Sequence, residues 1–283
     1  MKYLLLCTEI LLSSSQSILS KQYSLKGKNN NPFIYCSVTS LFALLFFIIS
    51  AGGKLNFNTS FMPYSVAFGI AYGLATIGSV CAIKNGPLSV SSLITSYSLI
   101  IPTLYGVVFL KESVTVLAYI GIGLLAVSLF LINVKKEEDM KFSVVWVVWI
   151  MIAFFGNGMC STIQKMQQLR FDGGYKSEYM IAALVVSVLI CLFASFTQTG
   201  SKRKALIGCI KYAPFAGIAN GIVNLFTMIL TGMMSNSVLF PSISAGGIAV
   251  SFVVSVTVYK ERLSKAQLLG YTAGIASVIL LNL

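Results

Sequence analysis

The stretch VVFLKES (107–113) closes one apolar run, and SVTVYKER (255–262) closes another. Each ends in a Lys-Glu pair, Lys111-Glu112 and Lys260-Glu261, and the two pairs stand 149 residues apart. One such pair is an ordinary helix end meeting water. Two in matching surroundings suggest that the chain contains one unit twice, and neighbouring residues test this. A shift of 148 carries Gly69-Ile70-Ala71-Tyr72-Gly73 onto Gly217-Ile218-Ala219-Asn220-Gly221, and Ser89-Val90 onto Ser237-Val238. A shift of 149 carries Gly121, Ser128, Leu131 and Asn133 onto Gly270, Ser277, Leu280 and Asn282. A shift of 144 carries Ser17, Lys21 and Tyr35 onto Ser161, Lys165 and Tyr179. Any single match is cheap, but a nearly constant offset along the chain is not.

Composition says what solvent this unit meets. Hydrophobic residues fill 57% of 283 positions and charged residues only 10%, where a soluble domain carries about 25% charge. The mean hydropathy is +0.87. A bilayer core about 30 Å thick needs roughly 20 helical residues, and breaks in the apolar pattern leave ten segments of that order: 3–24, 32–52, 63–84, 88–110, 114–133, 143–166, 179–199, 213–233, 237–259 and 263–282. The expected fold is an all-α integral membrane protein with ten transmembrane helices. Five fall in residues 1–133 and five in 143–283, with VKKEEDMKF (134–142) as linker. Because five is odd, the second unit enters from the opposite side, and the repeats are inverted. Inverted repeats are a common transporter architecture, with the substrate site near the midplane between them. The opening MKYLLLCTEILLSSSQ (1–16) has a trace of a signal peptide, but Glu9 interrupts it and no small-residue cleavage site follows. It reads as a retained first span.

Several function classes drop out on composition. The chain has no histidine, which removes His-based acid–base catalysis, the usual nucleophile triads and His-ligated metals. The six cysteines are scattered without a CxxC, so they read as buried small hydrophobes and not as a disulfide or metal framework. No catalytic residue, cofactor or metal is expected. The net charge of +12 is dispersed over short loops, which points to a bilayer with anionic headgroups and not to nucleic acid.

AIKNGPLSVSSLITSYSLIIPTLYGVVFLKESVTVLAYIGIGLLAVSLFLIN (82–133) resembles the EamA-type branch of the drug/metabolite transporter superfamily. There, a helix with a mid-span proline ends in a short basic-acidic turn and is followed by a Gly-containing helix. VSVTVYKERLSKAQLLGYTAGIASVILLNL (254–283) continues the resemblance, so both halves carry it. The second copy departs at Pro102, which has no counterpart, although Pro241 lies earlier in that helix. The resemblance implies that helices 1–4 and 6–9 of the ten line a central cavity, with helices 5 and 10 peripheral. It also implies transport of small metabolites such as amino acids, sugars, nucleotide sugars or amphiphilic cations, in a plasma membrane of bacterial type, with a homodimer left open.

Within the spans, Glu9 is the only acidic residue; the other seven lie at ends or in loops. An intramembrane carboxylate is by default a functional candidate, here for proton coupling, since burial disfavours its charged form. The bland alternative is a side chain about 9 Å into its helix that snorkels to the interface. Lys21 and Lys165 hold equivalent places near helix ends and could contact an anion as a pair, or simply snorkel. Gln16, Tyr72, Thr76, Asn157, Asn220 and Asn224 are candidate substrate contacts, with Gln164 and Thr227 nearby. Asn220 and Asn224 are i,i+4 neighbours, as are their counterparts Tyr72 and Thr76. Their alternative is hydrogen bonding between helices, worth around 1 kcal/mol or less. Gly69, Gly73, Gly217, Gly221, Gly270 and Gly274 form three GxxxG pairs that suit close helix packing. Trp146 and Trp149 suit an interfacial belt.

The leading reading is a secondary transporter, exporter or exchanger, of a small polar or amphiphilic metabolite. A flippase of a lipid-linked carrier is the alternative. An intramembrane enzyme would need clustered acids, a metal site or an activated nucleophile, which the spans lack, and a purely structural protein leaves the repeat unexplained. If both termini are cytoplasmic, as the resemblance suggests, only Lys2, Lys54, Lys111, Lys165, Arg170 and Lys176 of 20 basic residues lie inside. The positive-inside rule favours the opposite orientation.

Overall fold

A computed structural model describes residues 2–25, 31–53, 55–56, 58–85, 91, 94–95, 97–133, 143–197, 202–257 and 264–282. These fold into helices, with no strand among the described residues. We number the helices α1 (Lys2–Leu25), α2 (Pro32–Ser50), α3 (Met62–Asn85), α4 (Ile100–Val108), α5 (Val116–Asn133), α6 (Val144–Arg170), α7 (Lys176–Phe196), α8 (Lys202–Cys209), α9 (Ala213–Met233), α10 (Asn236–Thr257) and α11 (Lys265–Asn282). Nine of the ten apolar segments coincide closely with one of these helices, whereas α4 covers only the later part of 88–110. Five stretches, in α2, α3 with the turn before it, α6, α7 and α9, are long and apolar enough to cross a membrane. The exterior agrees: Phe130, Val144, Phe193 and Phe215 stand exposed on different helices, and Phe109 is exposed just after α4. An apolar surface of that extent is unstable in water and suits lipid.

Local chemistry sets the helix ends. Asn31 accepts from the backbone N–H of Phe33 at 3.0 Å and of Ile34 at 3.4 Å, with Pro32 at the first helical position. Ser143 accepts from Trp146 N at 3.1 Å and starts α6. Three features depart from the sequence expectation. The segment 88–110 is interrupted before α4: Ser98 and Leu99 form a turn, and Ile101 N takes Ser98 O at 3.1 Å. Pro102 has no N–H to bond that carbonyl, so the regular pattern lapses one turn upstream. The connector 200–212 contains the short helix α8, which buries Ala205 and Cys209 against Ile34 and Tyr35 of α2. Its Lys-Arg-Lys start hides an i,i+4 pair of small residues. Trp146 does not project outward as a belt residue would; it is buried in the bundle, and its Nε1–H donates to Ser91 Oγ at 3.0 Å.

Contacts across the bundle fix helix directions. Glu9, near the start of α1, meets Thr227 near the end of α9, and Gln16 meets Asn220, so α1 and α9 run antiparallel. Lys165, near the end of α6, reaches the carbonyls of Thr231 and Met234, so α6 and α9 end on the same face. α3 runs antiparallel to α6, with Gly78 against Trp149 and Ala153 and Gly156 against Ala71 and Ala75. Gly69 and Gly73 face α7, and Gly217 and Gly221 face α2. α5 and α11 pack on each other, where Ser128 donates to Gly270 O at 2.6 Å. The main buried cluster lies elsewhere, around Phe47, Phe61, Phe68, Tyr179, Leu184 and Met228.

Candidate functional site

On α1, Glu9, Ser13 and Gln16 follow i, i+4, i+7 spacing and share one face; on α9, Asn220, Asn224, Thr227 and Thr231 do the same. The two faces meet and form a polar seam. Asn220 Nδ2 donates to Gln16 Oε1 at 3.0 Å. Asn220 Oδ1 in turn accepts from Tyr72 OH of α3 at 3.3 Å and from Asn224 Nδ2 at 3.1 Å. Asn224 Oδ1 accepts from Gln164 Nε2 of α6 at 3.3 Å. One network therefore joins α1, α3, α6 and α9. It lies about 21 Å along α1 at 1.5 Å per residue, and Tyr72 is the eleventh residue of the 24 in α3, so the network is at mid-depth in the bundle. Gln16, Tyr72, Asn220 and Asn224 are half-buried, while Gln164 is buried.

Glu9 sits about two turns of α1 from Gln16, bonded to Thr227 one turn beyond Asn224, and is 2% exposed. It does not snorkel. Thr227 Oγ1 donates to its Oε1 at 2.6 Å, and Oε2 has no hydrogen-bond partner among the described residues. The Thr227 hydroxyl also lies 3.0 Å from Val223 O. It has one proton for two acceptors, so if that proton goes to the backbone carbonyl, the short contact to Glu9 needs a proton on the carboxyl. Burying an ionised carboxylate with one bare oxygen is costly.

The remaining expected residues scatter. Thr76 donates to its own helix at Tyr72 O, 2.8 Å away. Asn157 is half-buried and makes no side-chain hydrogen bond among the described residues; its neighbours Gly156 and Gly158 press on Ala75 and Ile101. The Lys21 side chain, like Lys260 and Glu261, lies outside the described residues. Lys165 is buried and stands apart from the network. Its Nζ donates to Thr231 O at 2.6 Å and to Met234 O at 3.4 Å, and lies 3.9 Å from Glu112 Oε1. Glu112 in turn caps α10: Oε1 accepts from Asn236 N at 3.0 Å, and Oε2 from Ser237 N at 3.0 Å and Ser237 Oγ at 3.1 Å. In the sequence Glu112 stands out only as half of a Lys-Glu pair, because nothing local in KES tells which helix start it will cap. Beside this pair is a cavity of about 300 Å³, lined among others by Lys2, Tyr3, Thr115, Met233 and Ser235. Among the described residues no group of His, Cys, Asp and Glu is placed to hold a metal ion.

No protein-family model matches this chain, and no curated protein does. Among solved structures, 28 chains match. One of them, a crystal structure of a protein, shares 14% identity with a TM-score of 0.73 and covers 100% of this chain and 98% of its own. At that identity the likeness shows a shared fold and no more.

Proposed function

We propose that this chain is a secondary transporter of a small polar or amphiphilic metabolite, working by alternating access between two inverted five-helix halves, as its resemblance to the EamA-type transporters implies. One observation carries the reading. Side chains from α1 and α3 of the first half, and from α6 and α9 of the second, meet in one half-buried network at mid-depth, beside a buried carboxyl with a bare oxygen. α5 and α11, expected to be peripheral, contribute nothing to it. Helix directions support the inversion: α1 runs against α9, and α9 ends on the face where α6 ends, so the first helices of the two halves run oppositely. Polar groups at the interface of two repeats are where a substrate site is expected in such folds.

In this reading the amides of Gln16, Asn220, Asn224 and Gln164 and the hydroxyl of Tyr72 exchange their mutual hydrogen bonds for bonds to the solute. Glu9 releases a proton toward one face and regains one from the other as the halves rock, which couples transport to a proton gradient. The test is uptake by purified protein in lipid vesicles, with a panel of amino acids, sugars, nucleotide sugars and amphiphilic cations, with and without an imposed pH gradient. The expected result is that at least one solute accumulates with the gradient. Glu9→Gln, which keeps size and hydrogen bonding but cannot titrate, should then lower gradient-driven uptake about tenfold or more, equivalent to about 1.4 kcal/mol in the barrier. If the variant keeps both the rate and the gradient dependence, Glu9 is not the coupling group.

A further inference from the structure

We propose that the Lys165–Glu112 pair is a gate that closes the seam on the face where α1 begins; the proposal rests on the transport reading above. Position comes first. Along α9, Asn220, Asn224 and Thr227 line the seam, Thr231 offers its carbonyl to Lys165, and Met233 and Ser235 line the 300 Å³ cavity. The pair thus lies at the end of α9, where Thr231, whose carbonyl Lys165 holds, is one helical turn nearer that end than Thr227, the partner of Glu9. Connectivity comes second. Glu112 belongs to the half 1–133, whereas Lys165, Thr231, Met234, Asn236 and Ser237 all belong to the half 143–283. Lys165 holds the last carbonyls of α9 and Glu112 holds the first N–H groups of α10, so together they clasp the α9–α10 hairpin to the end of α4.

The chain is shaped to place this contact. Lys111 adopts a left-handed φ of 52°, and Glu112 N bonds back to Gly106 O at 3.1 Å. That is a helix-ending turn in which glycine is the usual left-handed residue. A Cβ on Gly106 would crowd the Glu112 carboxylate and stand 2.9 Å from Asn236 Cβ, so only glycine leaves room there. The chemistry suits a gate better than an apolar plug would. The mutual attraction of a buried pair roughly balances its desolvation, so when water enters, each charge exchanges its partner for hydration at small net change. Two arrangements of nearly equal free energy are what a switch requires. An apolar plug would instead expose its surface to water on opening.

The test uses full-length protein in detergent with the six native cysteines replaced and Thr231→Cys as reporter, since Thr231 is buried directly beneath the pair. The rate of modification by a charged, water-soluble thiol reagent is measured without any solute. Lys165→Met and Glu112→Gln should each raise the rate about tenfold or more, because removing one partner leaves the other charge uncompensated and draws in water. Lys165→Arg, which keeps the charge, should stay close to the parent. Glu112→Gln retains an oxygen to cap α10, so it decides the matter if Lys165→Met does not give a monodisperse protein. Unchanged rates in Glu112→Gln overturn the gate, and with transport intact they leave the transport reading standing. Raised rates in a protein that moves no solute overturn the transport reading and leave the pair as a water-tight clasp of the α9–α10 hairpin, not a transport gate.

Discussion

Two helix seams, α1 against α9 and α3 against α6, occupy equivalent places under the repeat offsets, and their chemistry is opposite. A shift of 144 carries Glu9 and Gln16 of α1 onto Ala153 and Cys160 of α6, while a shift of 148 carries Tyr72 and Ser79 of α3 onto Asn220 and Thr227 of α9. In the α1/α9 seam, carboxyl, amide and hydroxyl groups hydrogen-bond to one another. In the α3/α6 seam the backbones themselves approach: a Cβ on Gly78 would come within 2.8 Å of Ala153 N, and one on Gly156 within 2.9 Å of Ala71 O. The first seam can exchange its bonds for water or a solute. The second has nothing to exchange, and parting it would expose fitted apolar surface. In the proposed transporter, the duplicated scaffold supplies two similar seams and the diverged side chains decide which one opens.

The sharpest way to break this contrast is to overfill the dry seam. Gly156→Leu should abolish or severely lower the yield of folded protein, since overpacking a fitted contact costs about 1–3 kcal/mol and more where backbone is the obstacle. Thermal unfolding in detergent reads the effect, and a wild-type midpoint would mean that the α3/α6 contact is not a fitted one. A smaller effect, and on function before stability, is expected in the polar seam. Asn220→Ala removes the group that joins Gln16, Tyr72 and Asn224, so stability should fall by about 1 kcal/mol or less, while solute uptake falls several-fold through a raised KM. A large loss of stability with unchanged KM would assign Asn220 to packing alone.

Much of this was legible before any coordinates. The apolar runs marked the helices, and the Lys-Glu pairs with their nearly constant offsets are the ground for the proposed repeat. The i,i+4 spacing put Asn220 and Asn224 on one face. The pairings were not legible. Nothing in the sequence says that Glu9 meets Thr227, because the two are 218 positions apart and their contact depends on which faces of α1 and α9 turn inward. Glu112 stood out only as half of a repeated Lys-Glu pair, and its part in capping α10 depends on a fold-level neighbour. The helix α8 was masked by its basic start, and the lapse before Pro102 by the apolar run around it. Trp146 was assigned to an interface by residue type, but the hydroxyl of Ser91 lets it bury its N–H.

The most direct test compares the two seams during turnover. Ser13→Cys places a thiol in the polar seam between Glu9 and Gln16, and Ala75→Cys places one in the dry seam against Gly156. Each is made in protein with the six native cysteines replaced, reconstituted in vesicles, and exposed to a membrane-impermeant thiol reagent from either side under a pH gradient. Our account predicts that the thiol at position 13 reacts from both sides while the thiol at position 75 stays protected throughout. Equal reactivity at both positions, or protection of position 13 from both sides while solute still moves, would contradict it.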